Sequence, residues 1–142
     1  MTPISAHFSL EEATASQTAT RLNINNDLPI ELMQNVKRAA LGLELTRKEL
    51  NSNAIHVSSW YRCPELNKAV GSKPTSAHIT GMAIDFTCPT YGSPERIVKV
   101  LKASGLTYDQ LIVEYDAWVH ISFDGARKQC LVIDHNGTRE FA

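Results

Sequence analysis

Polar and apolar positions change period several times along the chain, and each change marks an element. Near the start, "FSLEEATAS" sets Ser9 three residues before Glu12, a capping box that predicts a short helix lying as a lid or clasp on the fold. The clearest helical repeat begins at about Pro29 and runs through "IELMQNVKRAALGLELTRKEL", with Leu32, Val36, Ala39, Ala40 and Leu43 recurring on one face. "AIHVSSW" follows as a β-rich strand, and "CPELNKAVG" places Pro64 at a helix start and Gly71 just past its end. In "GMAIDF" the period shortens to two: Met82, Ile84 and Phe86 face one way, Ala83 and Asp85 the other. "SPERIVKVLKASG" predicts another capped helix, with Ser93 as cap, Pro94 in the first turn and Gly105 as stop. Its apolar stripe is Ile97, Val98, Val100 and Leu101. "QLIVEY" and "WVHISF" read as two further strands, and "LVIDHNGTREF" as a closing hairpin turning at Asn136-Gly137. There is no internal repeat and no low-complexity tract. Helices come first and strands later, so the expected class is α+β, a small and mainly antiparallel sheet flanked by helices.

Length and charge narrow what such a fold could do. At 142 residues the chain has the size of a single domain. Within it a helical segment is expected over about residues 1–50 and a sheet-borne part over about 54–142. Lys and Arg number 14 against 15 Asp and Glu, so no strong field draws in DNA, RNA or an anionic membrane, and no nucleic-acid partner is expected. Cys63, Cys88 and Cys130 are odd in number and lack paired spacing, which predicts reduced thiols and synthesis in the cytoplasm. The first residues carry no basic region, apolar run or small-residue cleavage site, and no stretch approaches 18 apolar residues. Neither a signal peptide nor a membrane anchor is therefore expected, and a monomer is.

Candidate chemistry gathers on the polar faces of two strands. In "WVHISF", Trp118, His120 and Ser122 share one face while Val119, Ile121 and Phe123 share the other and can fill a core. His120 thus sits where Asp85 sits, on the non-core side of a strand. With His78 they offer two imidazoles and one carboxylate, a set that suits Zn²⁺ and leaves a fourth position for water. Gly81 would let the backbone turn so that His78 and Asp85 reach one ion. On spacing alone, the alternative stands open that these are satisfied strand residues with no metal. His7, His56 and His135 have no partner spacing and read as structural or solvated. Cys63 is nearest the predicted site but has no catalytic histidine, and Cys88 and Cys130 read as ordinary thiols.

"SAHITGMAIDF" followed by "VEYDAWVHISF" resembles the zinc-ligand signature of the D-Ala-D-Ala carboxypeptidase and hedgehog-type metallopeptidase superfamily. The pattern is S-x-H-x-x-G-x-A-x-D, then a histidine in a later W-x-H strand. Upstream, "HFSLEEATASQTATRLNINNDLP" resembles the opening of the small phage and prophage branch, and "SSWYRCPELNKAVGSKPTSAH" its S-G-Y-R-S-P-x-L-N segment. Trp60 stands where glycine is usual and Cys63 where serine is usual. The resemblance implies one zinc ion held by His78, Asp85 and His120. Some members place the acid/base carboxylate three residues before the last ligand, which here is Ala117; the hedgehog-like arrangement places it six before, at Glu114, which is the expected base, while the competing Asp116 is expected to be taken up in the turn between the two strands. It further implies that Arg62 forks onto a substrate carboxylate or stabilises the oxyanion. Ser76 is expected to hold the first ligand loop or a substrate group, and Trp118 to wall the cleft or simply to pack.

The implied activity is zinc-dependent hydrolysis of peptidoglycan stem peptides, as a D-Ala-D-Ala-type carboxypeptidase or a stem-peptide endopeptidase. A phage endolysin or virion-associated wall hydrolase fits the missing signal peptide. Two other readings stand beside it: a non-catalytic zinc-binding interaction module, and a virion tail or assembly protein. Bond specificity is expected to follow loops 71–75 and 87–93.

Overall fold

The computed structural model describes the whole chain, Met1 to Ala142. Its elements in order are α1 (Leu10–Thr14), α2 (Gln17–Leu22), α3 (Met33–Glu49), β1 (His56–Ser59), α4 (Pro64–Ala69) and β2 (Ala83–Thr87). There follow α5 (Pro94–Ala103), β3 (Gln110–Glu114), β4 (Trp118–Ser122), β5 (Gln129–Asp134) and β6 (Gly137–Glu140). Every element anticipated from the periodicity is present, and the class is α+β. No helix is long and apolar enough to cross a membrane, and all three cysteines are unpaired.

Local chemistry explains the helix ends. At α1 the Ser9 hydroxyl accepts from the Glu12 N–H while the Glu12 carboxylate accepts from the Ser9 N–H at 3.0 Å, which completes the capping box. The long helix starts later than Pro29. That proline precedes a 3₁₀ turn, Ile30–Leu32, in which the Leu32 N–H reaches the Pro29 carbonyl at 3.0 Å, and α3 begins only at Met33. Helix α2 has no counterpart in the hydrophobic pattern, because "QTATRL" buries only Ala19. Its signal is the cap, where Ser16 Oγ accepts from the Ala19 N–H at 3.1 Å.

The six strands form one sheet in the order β1-β2-β4-β3-β5-β6. All neighbours are antiparallel except β3 and β5, which run parallel. Ile84, Phe86, Leu111, Val113, Val119 and Ile121 lie on one face and join a single core with α3 and α5. Helix α5 contributes Ile97, Val98 and Leu101, whereas Val100 is only partly buried. On the opposite face, Ser59, Asp85, His120 and Ile112 line up across β1, β2, β4 and β3. That face was expected to look away from the core, and it does; yet Ala83 and Asp85 are buried too, because His78 and Arg62 reach over the strand.

Candidate active site

Gly81 ends the loop that carries His78 into position. Its φ of +79° is the left-handed conformation that favours glycine, and a Cβ there would lie 2.7 Å from Val36 Cγ2 on α3. The turn lets His78 and Asp85 meet, with Nε2 of His78 3.2 Å from Oδ1 of Asp85. From β4, His120 Nδ1 comes within 2.9 Å of the same oxygen. One ligand atom from each residue lies within 4.8 Å of the others, a group that could hold a metal ion.

The surroundings fit an ion at that point. The Trp60 carbonyl accepts from Nδ1 of His78 at 2.6 Å, which fixes the tautomer and leaves Nε2 with a free lone pair. Burial holds His78 below its ordinary pKa and so keeps the ring neutral, despite the opposing pull of Asp85. His120 is moved the other way: burial disfavours its charge, but contact with Asp85 outweighs that and raises it. Burial works against the charge of Asp85 as well, yet the two histidines hold its carboxyl below the ordinary value. Two imidazoles and a carboxylate, desolvated together, are a donor set that matches zinc.

Arg62 lies beside the ligands rather than out in solvent. Its Nε donates to Ser59 Oγ at 3.0 Å, Nη1 to Asn67 Oδ1 at 3.2 Å and Nη2 to Asp85 Oδ2 at 3.4 Å. Of the five guanidinium N–H groups, one on each terminal nitrogen remains free. The backbone around it is clamped. Buried Asn26 donates to the Tyr61 and Thr14 carbonyls at 3.0 Å each and accepts from the Cys63 N–H at 2.8 Å, while the Arg62 N–H reaches the His78 carbonyl at 3.0 Å.

Glu114 ends β3 with an oxygen 3.8 Å from His120 Nδ1. Burial raises its carboxyl above the ordinary value, and the Asp85 charge pushes the same way. Asp116, the competing carboxylate, falls instead in the exposed β3–β4 turn at φ 49° and does not line the cleft. Ser76 Oγ accepts from the His78 N–H at 3.2 Å, holding the ligand loop, and it borders the cleft as well. Trp118, Tyr115 and residues of α2 such as Gln17 and Arg21 also line the cleft. Gly71 and Ser72 contribute, but nothing from 87–93 does, so the expectation for that loop fails. Those residues lead from the far end of β2 into α5, where Cys88 and Tyr91 pack on the core while Pro89, Thr90 and Ser93 are exposed. The wall the pattern did not anticipate is α2.

A buried cluster of two histidines and an aspartate, flanked by a carboxylate and a guanidinium in an open cleft, defines the class of metal-assisted hydrolase sites. Matched against known protein families, residues 6–122 correspond to Peptidase M15, and the chain belongs to that family. Its peptidases are metal-dependent, in keeping with the His78, Asp85 and His120 cluster. No curated protein matches the chain.

Proposed function

We propose that this protein is a zinc peptidase that hydrolyses a peptide bond in the stem peptides of bacterial peptidoglycan. The observation that carries the reading is the convergence of His78, Asp85 and His120 in a cleft that also presents Glu114 and Arg62. Zinc held by the three ligands would supply Lewis acidity, polarising the scissile carbonyl and lowering the pKa of water toward neutrality. Glu114, its affinity for protons raised by burial, takes the proton of the attacking water and returns it to the leaving amine. The two free N–H groups of Arg62 grip the developing oxyanion or a substrate carboxylate. A cleft of about 1310 Å³ exceeds the roughly 300–1,000 Å³ of small-molecule sites and accommodates several residues of a peptide.

Within this reading the chain acts as a phage endolysin or virion-associated wall hydrolase, a role supported by the resemblance of its opening segment to the phage branch. It cuts either as a D-Ala-D-Ala-type carboxypeptidase or within the stem. The test is to incubate murein sacculi with the protein, with a chelator, and with the chelator followed by zinc, and to identify the released ends by mass spectrometry. New amine and carboxyl termini that depend on metal are expected and name the bond. Intact sacculi alongside one bound zinc per chain would instead favour a non-catalytic module.

A further inference from the structure

Glu114 and Trp118 face each other as the last register pair of the β3–β4 hairpin, and both line the cleft. Neither is satisfied. The Glu114 carboxylate makes no hydrogen bond, and its ionic neighbour, His120 Nδ1, stands 3.8 Å away. Trp118 Nε1 is the one buried side-chain nitrogen or oxygen in the chain that lacks a partner. The other indole, that of Trp60, donates to the Gly81 carbonyl at 2.9 Å. Leaving a buried donor unpaired is costly, so a lone one in a cleft wall signals a partner acquired in the working state. The nearest acceptor by strand register is the Glu114 carboxylate.

A general base works best when a third group fixes its direction. We infer that Trp118 is the positioning residue of Glu114: its Nε1–H holds one carboxylate oxygen and thereby turns the other toward the scissile bond beside His78, Asp85 and His120. The catalytic consequence rests on the peptidase reading; the contact itself does not. A two-residue strand-end pair suits this task, since the hairpin keeps both backbones fixed while only side-chain torsions close the gap.

The test uses the full chain loaded with zinc. Its two indole N–H resonances are resolved by ¹⁵N NMR, with Trp60 as internal reference. Glu114→Ala is expected to move the Trp118 resonance and leave that of Trp60 in place; an unmoved Trp118 resonance overturns the inference. In kinetics on a soluble stem peptide, Trp118→Phe is expected to lower kcat about 10- to 100-fold at unchanged KM. Added to Glu114→Ala, the same substitution should cost nothing more. A raised KM with kcat preserved would make the indole a substrate donor, and multiplicative losses would make the two residues independent; either result sinks the proposal. If the unsubstituted protein cleaves no stem peptide, the peptidase reading fails while the NMR comparison still decides the contact.

Discussion

At the scale of single residues, chemistry and scaffold separate cleanly. Glu114 touches neither the core nor a structural hydrogen bond, so Glu114→Ala should leave folding and zinc stoichiometry intact while lowering turnover by about 10²- to 10⁴-fold. Stem-peptide hydrolysis beside elemental analysis of the purified variant would check this, and retained activity would return Asp116 to consideration. Arg62 tests geometry against charge. Because three of its N–H groups are already committed to Ser59, Asn67 and Asp85, only a fork of the same shape leaves a pair for substrate. Arg62→Ala should cost about 10²- to 10³-fold in kcat/KM, and Arg62→Lys should recover only part of that loss, because an ammonium cannot reproduce the fork. Full recovery by lysine would mean that charge alone suffices.

Between elements, two small groups keep the site assembled. Gly81→Ala would both strain a left-handed backbone and drive a Cβ against Val36, coupling the ligand loop to α3. A loss of about 2 kcal/mol is expected, read as a lower urea midpoint, together with weaker zinc binding. Asn26, in the segment after α2, ties the end of α1 to the backbone on both sides of Arg62. Asn26→Ala strands the part-buried Cys63 N–H and two carbonyls, so a loss of about 1–3 kcal/mol is expected, with kcat/KM reduced through a loosened Arg62. Unchanged thermal stability in that variant would show that water replaces the amide.

Across the whole molecule, metal and pH act on the balance between folded and unfolded chains. His78, Asp85 and His120 meet only in the folded chain, so zinc at about 100 times its Kd should add about 2.7 kcal/mol of stability, and a chelator should lower Tm by the corresponding amount. Equal melting with and without zinc would argue against the cluster as a metal site. Far from the cleft, Arg127 donates to both carboxylate oxygens of Asp109 at 2.8 and 2.9 Å and, with its backbone N–H, ties the β4–β5 connection to β3. The Arg127 side-chain hydrogen bonds hold the Asp109 carboxyl below its ordinary 3.8. A depressed folded-state value means stability that is present above 3.8 and is lost as the pH falls through the lower folded value. Accordingly, the urea midpoint of Asp109→Asn should lie below that of the unsubstituted chain at neutral pH, with the gap closing as the solution is acidified. A gap independent of pH would assign the effect to packing.

The elements with strong periodicity were legible from the residues alone: α3 and α5 through their apolar stripes, β2 and β4 through their alternation, and α1 through its capping box. So was the gathering of His78, Asp85 and His120 into a group that could hold a metal ion, because the parity of Asp85 and His120 places both on one sheet face and the S-x-H-x-x-G-x-A-x-D pattern pairs His78 with them. Helix α2 was not, since a helix that buries one alanine leaves no hydrophobic trace, and it turns out to be a wall of the cleft. Between Glu114 and Asp116 the sequence favoured Glu114 and put Asp116 in the turn, but it supplied no geometry: the turn at Tyr115 and Asp116, with φ of 54° and 49°, sends one into the cleft and the other into solvent. The supports of the site were equally hidden. The Trp60 carbonyl and Asn26 act through backbone groups or across gaps of many residues, and side-chain identity carries no record of such contacts. Local patterning determined which residues share a face, because strand and helix periods are properties of neighbours in the chain. Which faces meet, and which carboxylate stands over the ligands, depended on strand order and turn geometry, which arise only when the sheet closes on its core.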